Sequence, residues 1–144
     1  MAMSKIAFDA SMYFRFGRHA RSGIVARTCF DAVVSGERTG TTRFPEDGPA
    51  QYARWALCRP GTLVRIWSTP CEAGVFRGDS CVIEITEEPR RIQLSCIARE
   101  DWSKAEGWSP KYIDALLARG RDFGVQVRFR LETPPVKSQA EFAW

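Results

Sequence analysis

The sequence predicts an α+β, mainly β architecture: a sheet of mostly antiparallel strands with short helices at its periphery. Three observations carry this expectation. Residues 125–132, Val-Gln-Val-Arg-Phe-Arg-Leu-Glu, alternate apolar and polar with a period of two, the pattern of a half-buried antiparallel strand. Two more runs, Leu63-Val64-Arg65-Ile66-Trp67 and Cys81-Val82-Ile83-Glu84-Ile85-Thr86, are rich in apolar and β-branched residues and read as strands. The helical patterns are short and do not alternate with the strands, so no series of parallel strand-helix-strand units is indicated.

Taken in order, residues 1–7 read as a loose terminus. Tyr13-Phe14-Arg15-Phe16-Gly17-Arg18-His19-Ala20-Arg21 then interleaves rings with cations. On a nucleic acid the rings would stack on bases while Arg15, Arg18 and Arg21 meet phosphates; in a purely structural role Phe14 and Phe16 pack inward and the arginines are solvated. Residues 28–35 predict a short helix, with Thr28 as its cap, Phe30, Val33 and Val34 as its apolar face and Gly36 at its C-terminal end. A loop with Pro45, Gly48 and Pro49 leads to a second short helix over 51–57, where Trp55 and Leu57 are candidates for packing.

Pro60-Gly61 makes the turn into the 63–67 strand, and residues 69–79 read as a loop or loose hairpin. In the strand over 81–86, Cys81, Ile83 and Ile85 share a face. Pro89 interrupts, and residues 92–97 resume the alternation. Ser109-Pro110 opens a helix with a capping serine and a proline at its first position; Ile113, Leu116 and Leu117 form its apolar stripe and Gly120 ends it. Pro134-Pro135 is expected to stop the last strand.

At 144 residues, 44% hydrophobic and 26% charged, the chain fits one soluble domain over 1–144, with termini at 1–10 and 133–144. It shows no run of membrane-spanning length and no secretory signal pattern, so a cytoplasmic location with no membrane partner is expected. Five scattered cysteines without a C-x-x-C pair, and a single histidine, His19, argue against a metal centre and for free thiols. Neither metal nor cofactor is expected. The formal charge of +4 is concentrated at the N-terminal end: seven Lys and Arg against three acids up to Arg43, then fourteen of each. Arginine supplies 17 of the 21 cations, which suits phosphate recognition.

The chemistry concentrates in Ser35-Gly36-Glu37-Arg38-Thr39-Gly40-Thr41-Thr42-Arg43. Two arginines and three threonines within six positions supply fixed cations, hydroxyls and exposed backbone donors, the groups that an anionic or heterocyclic ligand needs. This stretch resembles the signature of the ASCH domain family, in which a helix ends at glycine and is followed by Lys-Thr-x-Thr-x-Arg. Residues 55–61, Trp-Ala-Leu-Cys-Arg-Pro-Gly, are similar to the family's Leu-x-Pro-Gly-Asp turn. Val82-Ile83-Glu84-Ile85-Thr86 is similar to its Val-x-Ile-Thr strand, and Glu106-Gly107-Trp108 to its Glu-Gly-aromatic element. The four elements occur in family order across about 30–132. Two positions depart from the pattern: Arg38 stands where lysine is usual, and Thr62 where aspartate is usual.

The resemblance implies a PUA-like β-barrel with short peripheral helices. It also implies a cleft between the 35–43 signature and Glu106, binding RNA or a modified nucleoside. Some ASCH proteins resembling this chain are amidohydrolases that release the acetyl group of N4-acetylcytidine with a Lys, a Thr and a Glu, and others are described as ribonucleases. Carried over by motif, the candidate catalytic residues are Arg38, Thr41 and Glu106. Thr39, Arg43, Trp67 and Trp108 are candidate ligand contacts, although tryptophans such as Trp67, Trp102 and Trp108 more often belong to a core than to a base-stacking platform. A lysine with a lowered pKa can deprotonate a threonine; an arginine keeps its proton, so Arg38 is not that base. The departure favours binding over an amidohydrolase or ribonuclease activity.

Overall fold

The period-two runs become a six-stranded mixed sheet that curls into a half-barrel. The computed structural model describes residues 5–12, 28–96, 106 and 110–136. Its strands are β1 (Ile6–Ser11), β2 (Gly40–Arg43), β3 (Leu63–Trp67), β4 (Ser80–Ile85), β5 (Arg90–Gln93) and β6 (Phe123–Val136). Its helices are α1 (Cys29–Ser35), α2 (Pro49–Ala56) and α3 (Pro110–Ala118), with one 3-10 turn over Pro45–Asp47. The strand order is β1-β3-β4-β6-β2, and β5 also pairs with β6. All these pairings are antiparallel except β1 with β3, which is parallel.

Alternation along the strands builds the main core. Val64 and Ile66 of β3, Cys81, Ile83 and Ile85 of β4, and Val125, Val127 and Phe129 of β6 all point to one side. Phe30 and Val33 of α1 and Trp55 of α2 close that side. The opposite side of β5, β6 and β2 is also covered: Phe44, Ile92 and Leu94 pack against Ile113 and Leu116 of α3. Gly124 permits this second packing, because a Cβ there would stand 2.8 Å from the Arg43 carbonyl oxygen and 2.9 Å from the Phe44 ring. This part of the sheet is therefore buried on both faces.

Four expectations need correction. Ile6 and Ala7 belong to β1, held by its parallel partner β3 rather than loose. Leu57 lies just past α2 and is 79% exposed, so only Trp55 of the two packs inward. Strand β5 ends at Gln93 instead of continuing, because residues 94–96 turn under hydrogen bonds to Asp122. Strand β6 runs through Pro134 and Pro135 to Val136; the β4–β6 register shifts between Ser80 and Ile83, the kind of irregularity at which proline is tolerated in a sheet. The aromatic and basic stretch at 13–21, with Arg15, Arg18, Arg21 and His19, lies outside the described residues.

Candidate functional site

Local sequence delivers the signature to the sheet. The Thr28 hydroxyl accepts from the Asp31 amide at 3.1 Å and starts α1, and Gly36, at φ 82°, ends it in the left-handed conformation that glycine adopts without strain. The Arg38 amide then donates back to the Ala32 carbonyl at 3.0 Å, turning the chain into β2. There Thr41 pairs with Val127 and Thr42 with Gln126. Thr41 and Arg43 consequently share one face of β2, and Thr42 takes the other.

Arg38 bridges the two faces. Its Nε donates to the Gly40 carbonyl at 2.9 Å. Its Nη2 lies 3.0 Å from Glu106 Oε1 and 3.4 Å from Thr41 Oγ1. The Glu106 carboxylate also accepts from the Thr42 hydroxyl and, at 3.5 Å, from Gln126 Nε2. Gln126 is oriented in turn by Arg128, whose Nε donates to Gln126 Oε1 at 3.3 Å. Arg38 is 6% exposed and Glu106 0%, so a full ion pair is enclosed, and its hydrogen bonds offset the cost of removing two charges from water.

A second guanidinium adjoins the first. Arg43 Nε donates to Thr41 Oγ1 at 3.2 Å and Nη1 to Gln51 Oε1 at 3.4 Å, while its carbon lies 5.1 Å from the Trp55 ring centroid. Both hydrogen-bond partners are neutral. Burial, reinforced by the charge of Arg38, lowers its pKa to about 10, which leaves it cationic near neutrality. The buried Cys29 thiol is pushed up by burial, against the opposing pull of Arg38. Tyr112 of α3 is also raised, first by burial and then by the charge of Cys29. One cluster thus holds two cations, one carboxylate and the Thr41 and Thr42 hydroxyls.

Arg38, Thr41, Arg43 and Glu106, separated in sequence, are brought together by this geometry. Thr39 is exposed beside them, its carbonyl accepting from the Phe129 amide at 2.9 Å. Trp67 occupies the far end of β3, opposite Ser80, which pairs with Val136 at the other end of β6 from the cluster. Its indole donates to Asp9 at 2.9 Å and its ring stacks on Phe76. Trp102 and Trp108 lie outside the described residues. Sequence reasoning missed Thr42, Gln126, Gln51 and Arg128 and read Trp55 only as core. Thr42 had a signal, since it stands inside the signature.

No protein-family model and no curated protein sequence matches this chain. Solved structures that resemble it include the crystal structure of an ASCH domain from Lactobacillus crispatus, at 15% identity, covering 88% of this chain and 80% of that one with a TM-score of 0.50. Another is a protein from Enterococcus faecalis assigned to DUF984, at 18% identity, covering 92% and 82% with a TM-score of 0.53. The curled sheet with short helices is thus an α+β half-barrel of the kind those structures share. More narrowly, the fold is ASCH-like, as the signature residues had implied. Among the described residues no helix is long and apolar enough to cross a membrane.

Proposed function

We propose that the Arg38–Glu106 cluster is the floor of a cleft that binds RNA or a modified nucleoside without turning it over. One observation carries this reading: the Arg38 guanidinium reaches both Thr41 and Glu106, the place from which a base would have to deprotonate the threonine. A guanidinium holds its protons and cannot do that work. The carboxylate, for its part, is engaged by Arg38, Thr42 and Gln126.

The charge arrangement supports an anionic or polar heterocyclic ligand. Arg38 is compensated by Glu106, whereas Arg43 has neutral hydrogen-bond partners and a pKa depressed by burial and by Arg38. An arriving phosphate or base carbonyl would supply the compensating negative potential, and arginine suits such planar, bidentate contacts. The ASCH-like fold and the basic N-terminal third of the chain agree with RNA as the partner.

A hydrolase in the same cleft is the second reading, and one observation favours it. Thr41 Oγ1 receives donors from both Arg38 and Arg43, which would stabilise negative charge on that oxygen. A time course of the purified protein with N4-acetylcytidine, read as released cytidine, decides between the two. The binding reading expects none from the wild type. Turnover that vanishes in Glu106→Gln would establish the hydrolase.

A further inference from the structure

We propose that Arg128 and Arg90 form a phosphate subsite at the edge of this cleft, so that its ligand is a phosphate-bearing nucleotide unit and not a bare nucleoside. The inference rests on the reading of the cluster as a nucleoside or RNA site and deepens it. Gln126 pairs with Thr42 on one side and with Arg90 on the other. Paired residues of adjacent strands point to the same face, so Thr42, Gln126 and Arg90 form a row, and the first two of these hold Glu106. Arg128 stands two residues along β6 on that face, about 7 Å away at the Cα.

Three arginines line this face from the cluster outwards, and their charges are spent differently. Arg130 is neutralised by Glu84, with Nε at 2.9 Å and Nη2 at 2.5 Å from Oε1. Arg128 is half-buried and commits only its Nε, to the neutral Gln126; its terminal nitrogens bond no other described residue. Arg90 is exposed and bonds none either. Glu87 and Glu88, exposed in the turn before β5, are the acids nearest in sequence, and neither bonds Arg90 or Arg128.

This geometry suits a phosphate better than a neutral group. The bond to Gln126 fixes the Arg128 fork before any ligand arrives, so less side-chain freedom is lost on binding. Register sets Arg128 and Arg90 as diagonal neighbours on adjacent strands of one face, and Gln126 ties Arg128 to Glu106. A nucleotide would thus meet the Arg38–Glu106 pair with its base and the Arg128 and Arg90 pair with its phosphate.

The test is calorimetric titration with N4-acetylcytidine, its 5′-monophosphate and inorganic phosphate, alongside the NMR signals of the arginine Nε–H groups. The wild type should prefer the monophosphate over the nucleoside about tenfold, the size of one charge-assisted contact, with the Arg128 Nε–H signal shifting. Arg90→Gln should lose most of that preference while binding the nucleoside as before, and Arg128→Gln should lose it too. Arg90 makes no bond to another described residue, so its variant keeps the test valid even if Arg128→Gln unfolds. Equal affinities in the wild type, or a preference that survives both substitutions, would overturn the subsite and leave the nucleoside site standing. If neither organic probe binds but inorganic phosphate still shifts Arg128, the subsite holds and the nucleoside reading fails. No response to any probe overturns both.

Discussion

Arg38 Nη2 donates to Glu106 Oε1 across 3.0 Å, joining residues 68 positions apart with both side chains enclosed. That contact ties the segment after α1 to the chain beyond β5. Removing one partner leaves an uncompensated buried charge, whereas removing both leaves a poorly packed but neutral gap.

Arg38→Met and Glu106→Gln should therefore each lower stability by about 3–5 kcal/mol, measured by denaturant titration. The double variant should lose clearly less than the two single losses combined. Additive losses would mean that the pair is not coupled.

Gly124→Ala should be costly for a residue that carries no chemistry. A Cβ there would crowd the Arg43 carbonyl oxygen at 2.8 Å and the Phe44 ring at 2.9 Å. Backbone and a buried ring must both give way, at about 1–3 kcal/mol. Because Arg43 moves with that backbone, weaker ligand binding should accompany the lower melting temperature.

Alkaline stability follows from the thiols. Burial raises Cys58 to about 11 and Cys81 to about 12 from the ordinary 9.0. The unfolded chain thus gives up these protons first, and stability present below pH 9 is lost progressively as pH rises toward 11 and 12. Arg43, lowered from 12.5 to about 10, acts in the opposite sense between those values. The melting temperature should fall from pH 9 to pH 10, and a Cys58→Ala, Cys81→Ala variant should show a flatter decline.

Much of the site was legible because its residues stand in a spaced motif. Arg38, Thr41, Arg43 and Glu106 were chosen from sequence, and they do meet. Gln126 was illegible for a physical reason. Between Val125 and Val127 in a period-two strand it reads as solvent-facing, yet it is buried on the second face of the sheet, where it bonds Glu106 and Arg128. Alternation gives the faces of a strand but not what packs on them. Strand β1 escaped likewise: Ile6–Ser11 is short and contains Asp9, and it is held by β3 more than 50 residues away. The fold class was legible because β3, β4 and β6 each carry their own pattern.

In the proposed RNA-binding cleft Arg43 is the cation that would meet the ligand, and fluorescence anisotropy of a labelled single-stranded RNA is its test. Wild-type protein should bind, with affinity falling steeply between about 50 and about 200 mM salt. Arg43→Gln should bind at least tenfold more weakly and with a shallower salt slope. Absence of binding to RNA at low salt, or an Arg43→Gln variant that binds as the wild type does, would contradict it.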